Sequence, residues 1–425
     1  MKKGEVLVLY GAGKNVITEL TAGKFWGLNP ECFCDTDVKK HGTQYIGLPV
    51  ISLEKVKKTY GNEAKFYITL DTPLRYDVQE ELINQGVDKN RIVNYESVSK
   101  YRSCHYLKTW MGVGDYSICS CCRSMAPHIL WSDTDKTISG ALDSYIEVRD
   151  EALAAIRSGS PSICGDCHCI EERYWSIEDT VEHFRFHTQL PCQLSCSYCT
   201  VVNAKKPQSQ QTREFIKWFS LADFVKYLEE RELLTKNTRV TVAAVEITIF
   251  PKKDEYFDAL SKYSICIDTN AVIYDEKIVS ITANGKGDIC VSVDAGTRET
   301  FQKIKGLDAY DKVWKNIKRY TTNGVFVVAK YIFVSENSDD ENVEGFIYEA
   351  GKAGVIGIAV SADYNRKEPL SDEQIRLIVK MIMMAENRNL STQKIGIGDF
   401  DALESDDSSR IDEFYEYAKS NSVFY

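Results

Sequence analysis

Cys192, Cys196 and Cys199 fall within the ten residues "PCQLSCSYCT" at 191–200, with Tyr198 directly before the last of them. Thiols this close together mark metal ligation in a reducing compartment or a disulfide framework in an oxidising one. The chain holds 14 cysteines, and ten of them lie between Cys104 and Cys199. Two more groups stand upstream: Cys119, Cys121 and Cys122 in "YSICSCCRS", and Cys164, Cys167 and Cys169 in "SICGDCHCI". Four thiolates drawn from these groups, with Cys104 as a further donor, could hold zinc or an iron-sulfur cluster; the alternative is a set of buried free thiols. Structural zinc takes four ligands, so three cysteines on one loop with no close fourth leave a coordination position open.

Composition limits the rest. At 425 residues the chain fits two or three domains, and its 44% apolar and 27% charged content is that of a globular protein. The apolar run at 6–10 is too short for a secretion signal, and no stretch reaches the ~18 apolar residues of a membrane helix. The expected location is therefore cytoplasmic, where thiols stay reduced and metal ligation is favoured over disulfides. A net charge of -10 argues against a nucleic-acid partner. No HExxH motif and no hydrolytic triad order is present.

Three segments must position these residues. Residues 1–100 alternate strand-like and helix-like stretches, which predicts a small doubly wound parallel sheet. Its first turn carries Gly11 and Gly13, its second strand ends at Asp35, and Val16 replaces the third glycine of a dinucleotide fingerprint. The stretch "YGAGKN…FCDTD…GLPVISLEKV" resembles the N-terminal Rossmann-like domain of bacterial sugar-modifying proteins such as sialic-acid O-acetyltransferase relatives. That resemblance implies a nucleotide or nucleotide-sugar ligand over Gly11, Gly13 and Asp35; otherwise the glycines only permit the tight turn. Residues 101–180 are Cys-rich around a helix legible from Leu142, Tyr145, Ile146, Ala152, Leu153 and Ile156, with Gly159 as its C-cap. This segment resembles the SPASM or twitch type of module, which implies an auxiliary 4Fe-4S cluster on some of Cys104, Cys119, Cys121, Cys122, Cys164, Cys167 and Cys169.

Residues 181–425 contain the opening loop and end in an acidic stretch expected to be an exposed helix or tail. The CxxxCxxC spacing with Tyr198 resembles the radical S-adenosylmethionine superfamily, which implies a 4Fe-4S cluster on Cys192, Cys196 and Cys199. Its vacant iron would chelate S-adenosylmethionine and reduce it to methionine and a 5'-deoxyadenosyl radical, supplied with electrons by a low-potential donor such as flavodoxin or ferredoxin. "VTVAAVEITIFP" aligns with the superfamily's GGEPTLHP strand, leaving Glu246, Thr248 and Pro251 matched and both glycines replaced by Ala244 and Val245. The resemblance extends to a TNG-like turn at Thr269 and Asn270 and to Ser292 and Asp294 on a fourth strand. Tyr198, Glu246, Thr269, Asn270, Ser292 and Asp294 are thereby implied as S-adenosylmethionine contacts. The expected fold is α/β: a partial parallel (β/α)6 barrel preceded by the Cys-rich module and the Rossmann-like domain.

Before the cysteine loop, "VEHFRFH" alternates His183, Arg185 and His187 with phenylalanines, placing the polar three on one face. His187 and Arg185 are candidates to line a substrate pocket; the competing reading is a solvated strand at the barrel's open edge. The substrate expected is a sugar, a nucleotide-sugar or another small molecule, or a peptide. The rival function is a non-catalytic, zinc-containing ligand-binding protein on a degenerate barrel, supported by the altered "AAVEI" stretch.

Overall fold

The computed structural model describes residues 5–13, 16, 29–120, 128–130, 137–202, 204–243, 245–363, 365–394 and 402–424. Near the N-terminus, β1 (Val6–Tyr10), β2 (Pro30–Cys34), β3 (Gln44–Tyr45), β4 (Leu48–Ile51) and β5 (Ala64–Ile68) form one sheet in the order β3-β4-β2-β1-β5. All pairings are parallel except the β3/β4 hairpin. β1 is apolar on both faces because it is covered on both. Val8 and Tyr10 belong to one buried cluster, Leu7 and Leu9 to another, and Val16 joins the second.

β6 (Val98–Cys104) then pairs antiparallel with β10 (Ile170–Ser176), setting Cys104 opposite Ile170. Between them runs the helix Ile138–Ser158, capped by Thr137 and closed by Gly159 in the left-handed region (φ 72°). Its buried Arg149 donates to the carbonyls of Leu107, Lys108 and Asp179 at 2.9, 2.6 and 3.0 Å, tying the helix to the connections flanking the hairpin.

The same segment also supplies β7 (Trp110–Gly114), β8 (Ser117–Cys119) and β9 (His128–Leu130). These do not form a separate unit. They extend the large sheet built by β11 (Val181–His187), β12 (Leu234–Val242), β13 (Ser264–Thr269), β14 (Gly287–Ser292), β15 (Phe326–Phe333), β16 (Gly357–Ala362) and β17 (Ser391–Lys394), in the order β17-β16-β15-β14-β13-β12-β11-β7-β8-β9. β7 pairs parallel with β11, so the domain boundary expected at 180/181 coincides with no break in the sheet. β11 lies between β7 and β12, which overturns the open-edge reading of that strand.

The sheet's two faces differ in chemistry. Ile265, Ile267, Ile289, Val291, Val327, Ala329 and Tyr331 are buried against the surrounding helices, while most residues alternating with them are polar or partly exposed, Val328 and Ile332 being buried and apolar. The C-terminal helix Ala402–Asn421 is not simply an exposed acidic tail. Its Ile411 and Ala418 join the main core, and buried Asp407 accepts from the Leu370 N–H at 3.1 Å and from Arg410 at 2.9 Å. Among the described residues no helix is long and apolar enough to cross a membrane.

Candidate functional site

The cysteine loop follows β11 directly and sits at the C-terminal rim of the parallel strands. Backbone bonds hold it: Ser195 and Ser197 N–H donate to the carbonyls of Lys305 and Ile304 at 2.9 and 2.8 Å, and Ala204 N–H to Leu194 at 2.7 Å. The loop passes so close to the end of the helix Arg298–Lys305 that a Cβ on Gly306 would stand 2.9 Å from the Ser195 Cβ. The three thiols are partly buried and sense one another electrostatically. Burial, with the neighbouring carboxylate and thiols adding to it, pushes Cys192 up to about 11, and burial also raises Cys196 against the pull of the Lys305 ammonium.

The turn after β13 closes one side of the loop. Asn270 Nδ2 donates to Cys192 Sγ at 3.7 Å, and its Oδ1 accepts from Gln193 Nε2 at 3.1 Å. This turn is held from beneath by Glu246, which is fully buried just past the end of β12. The Glu246 carboxylate accepts from Asn270 N–H at 2.7 Å, Thr269 Oγ1 at 3.0 Å, Thr248 N–H at 3.1 Å and Thr248 Oγ1 at 2.6 Å. Burial raises the Glu246 pKa, and these donors work against that rise. Ala271 occupies the third position of the turn at φ 51°, where only glycine is free of strain.

On the other side Asp294 is the hub. It too is completely buried and in the left-handed region (φ 60°). Its Oδ1 accepts from Ile332 N–H at 2.7 Å and its Oδ2 from Tyr198 OH at 2.5 Å, and it pairs with the buried ammonium of Lys305, which itself lies 2.9 Å from the tyrosine hydroxyl. Asn337 Nδ2 donates to the Asp294 carbonyl at 2.8 Å. Beside Tyr198 opens a cavity of about 360 Å³ reaching Phe333, Glu336, Asp363, Arg366 and Gln374 at the ends of β15 and β16.

Residues 189–347 match the family model described as Radical SAM superfamily. That stretch runs from the cysteine loop through β12, β13, β14 and β15. A probable GTP 3',8-cyclase of Saccharolobus islandicus is 34% identical over 91 residues, 21% of this chain and 29% of that one. Streptococcus suis SuiB superposes with a TM-score of 0.41 at 14% identity, covering 53% of this chain and 50% of SuiB. SuiB bound to its precursor peptide SuiA gives the same score and identity over 70% and 73%. The matched part thus spans under a third of the cyclase and half of the peptide-free SuiB.

The sheet face turned away from the helices, the inner face, is charged. Arg185 and His187 on β11 share it with Arg239, Asp268, Asp288, Cys290, Ser292 and Lys330, following the strand register. Burial raises Asp268, opposed by Arg185 and Lys330. Ser292 stands opposite Lys330 in that register. His187 fits because its neighbour is Gly114, where a Cβ would lie 2.6 Å from His187 Nε2. Sequence reasoning did not single out Lys305, Gln193, Asn337, Asp268 or Lys330. Each is an ordinary residue in its own segment and acquires a role only from what folds against it.

None of the described cysteines forms a disulfide. The upstream set is divided by the fold. Cys104, Cys164 and Cys169 meet at one apolar cluster with Leu107, Ala152, Leu153 and Ile156. Cys119 lies instead on the large sheet, its sulfur over Gly112. Cys121 and Cys122 fall outside the described residues. In the N-terminal sheet Gly11 has φ 105°, and a Cβ there would meet Thr69 Oγ1 at 2.9 Å, so the turn requires glycine. Gly13 has open space around it, and its carbonyl accepts from Tyr45 OH at 3.0 Å. Asp35 already accepts from Ala12 N–H at 2.8 Å, Asp37 N–H at 2.9 Å and Lys40 Nζ at 2.9 Å, an arrangement that clamps the glycine turn.

Proposed function

We propose that the chain is a radical S-adenosylmethionine enzyme acting on a polar substrate that carries an anionic group. The observation that carries this reading is the Cys192, Cys196 and Cys199 loop, fixed at the strand ends between the Glu246-held turn and the Tyr198, Asp294 and Lys305 network. The donor set fits a 4Fe-4S cluster: three neighbouring thiols, N–H donors aimed at Cys192 from Leu194 and Asn270, and the Lys305 cation favouring thiolate at Cys196. When bound, such a cluster supplies one-electron reduction of S-adenosylmethionine to methionine and a 5'-deoxyadenosyl radical that takes hydrogen from the substrate.

The chain's own residues orient and enclose. Asn270 and Gln193 set the position of Cys192, and the buried Lys305 and Asp294 pair sets that of Cys196 and Tyr198. On the inner face Arg239 is satisfied by Asp288 at 2.5 Å, whereas Arg185 and Lys330 share the single carboxylate of Asp268. Two cations against one carboxylate on this sheet face support an anionic group on the substrate.

The test is anaerobic reconstitution with iron and sulfide, followed by dithionite and S-adenosylmethionine. Formation of 5'-deoxyadenosine, abolished in Cys196→Ala, is the expected result. Zinc in place of iron with no deoxyadenosine would establish the rival ligand-binding reading instead.

A further inference from the structure

Residues 164–169 read Cys-Gly-Asp-Cys-His-Cys. The ligand atoms of Cys167, His168 and Cys169 all lie within 4.8 Å of one another, and among the described residues this is the one such group of three Cys, His, Asp or Glu side chains. Two successive backbone turns link Cys164 to them, although its sulfur stands outside that compact group. Cys167 N–H donates to the Cys164 carbonyl at 3.2 Å and Ile170 N–H to the Cys167 carbonyl at 3.0 Å, with Gly165 in the left-handed region (φ 51°). The loop is anchored at both ends: Cys164 and Cys169 pack on the cluster of Leu107, Leu153 and Ile156, and Ile170 begins β10.

The spacing discriminates between metals. Around one tetrahedral ion, bonds of about 2.3 Å to sulfur set neighbouring sulfurs about 3.8 Å apart. Thiolates on different irons of a cubane are spread more widely, since each binds its own corner. Cys192, Cys196 and Cys199 do not form so compact a group, as cluster ligands should not, whereas the group at 167–169 does. A ring nitrogen among the donors also suits zinc, for which three cysteines and a histidine are an ordinary structural set.

We propose that Cys164, Cys167, His168 and Cys169 bind a single zinc ion that fastens the start of β10 to the helix Ile138–Ser158. All four ligands come from the protein, so the site is closed and structural. This differs from the auxiliary 4Fe-4S cluster that the resemblance to a SPASM or twitch module implies. Cys104, buried in the same apolar cluster as Cys164 and Cys169, is outside the proposed ligand set.

The experiment is metal analysis and zinc X-ray absorption on the full chain with its Cys192, Cys196 and Cys199 loop intact. About one zinc per chain with three sulfur and one nitrogen neighbours is expected, beside about four irons. Cys167→Ser and Cys169→Ser lose the zinc and keep the iron, and Cys104→Ser keeps both. About eight irons and no zinc in the unaltered chain would overturn the proposal in favour of an auxiliary cluster. A four-sulfur zinc shell would overturn the histidine assignment. The wild-type spectrum decides even where a variant fails to fold, and absence of deoxyadenosine formation has no bearing on it.

Discussion

Replacing Glu246 with glutamine tests what that carboxylate is for. Four donors from three residues converge on its two oxygens, and two of them, the Asn270 and Thr248 backbone N–H groups, cannot accept. A glutamine keeps one oxygen and presents an NH2 where the other was. If the oxygen stays with Thr248, the NH2 faces the Asn270 N–H now held at 2.7 Å. A buried charge-assisted hydrogen bond is lost and a donor is left facing a donor, for about 3 kcal/mol in all. Urea unfolding at neutral pH should show that loss as a lower midpoint with an unchanged slope. Because Asn270 also donates to Cys192, iron bound after reconstitution should fall in parallel. A variant of wild-type stability and full iron content but weakened S-adenosylmethionine affinity would refute the reasoning, since it would place the carboxylate on the cofactor and not under the turn.

Lys305 and Asp294 are 1% and 0% exposed, so Lys305→Met should cost about 3–5 kcal/mol by leaving an uncompensated buried charge. The double variant Lys305→Met with Asp294→Asn should cost less than the sum of the singles; additive losses in the unfolding cycle would contradict the pairing. Burial raises Asp35, but the Asp37 and Ala12 amides and Lys40 outweigh it, and its folded pKa lies below the ordinary value. Its contribution is therefore present above about pH 4 and disappears as pH falls through the folded pKa. Hydrogen exchange at the Ala12 amide, corrected for intrinsic rate, should accelerate on acidification in the wild type and be fast throughout in Asp35→Ala. Equal protection of that amide at pH 3 and pH 6 in the wild type would count against the clamp.

The parts legible in the sequence are those whose signal is local. The cysteine loop is eight consecutive residues, and β11 shows its period of two in His183, Arg185 and His187. The helix Ile138–Ser158 announces both its apolar stripe and its glycine cap. What was hidden depends on contacts distant in sequence. β7 pairs with a strand about 70 residues further on, so "WMGVG" looks like part of a Cys-rich module until β11 lies beside it. Lys305 precedes a glycine at a helix end, the usual place for a solvated lysine, and only the fold brings Asp294 and Tyr198 onto it. Counting cysteines groups Cys119 with Cys164, whereas the strand direction of β8 carries it onto another surface.

The relief of the sheet's charged face follows from where the strands place small and paired residues. On β7, Gly112 lies under the Trp110 ring, with a Cβ only 2.7 Å from it, and Gly114 lies under His187 at 2.6 Å, so two large rings occupy space that side chains at 112 and 114 would otherwise fill. Toward the N-terminal strand ends, Arg239 and Asp288 are nearly buried and neutralise each other across β13. Substitution of either would open that end and leave a charge unpaired. Polarity that remains unsatisfied by such pairing lies further along the strands, at Arg185 and Lys330, on the side where the cysteine loop sits. A ligand drawn to those cations is thereby brought toward Cys192, Cys196 and Cys199. The sheet thus sets the direction of approach for the anionic substrate proposed above.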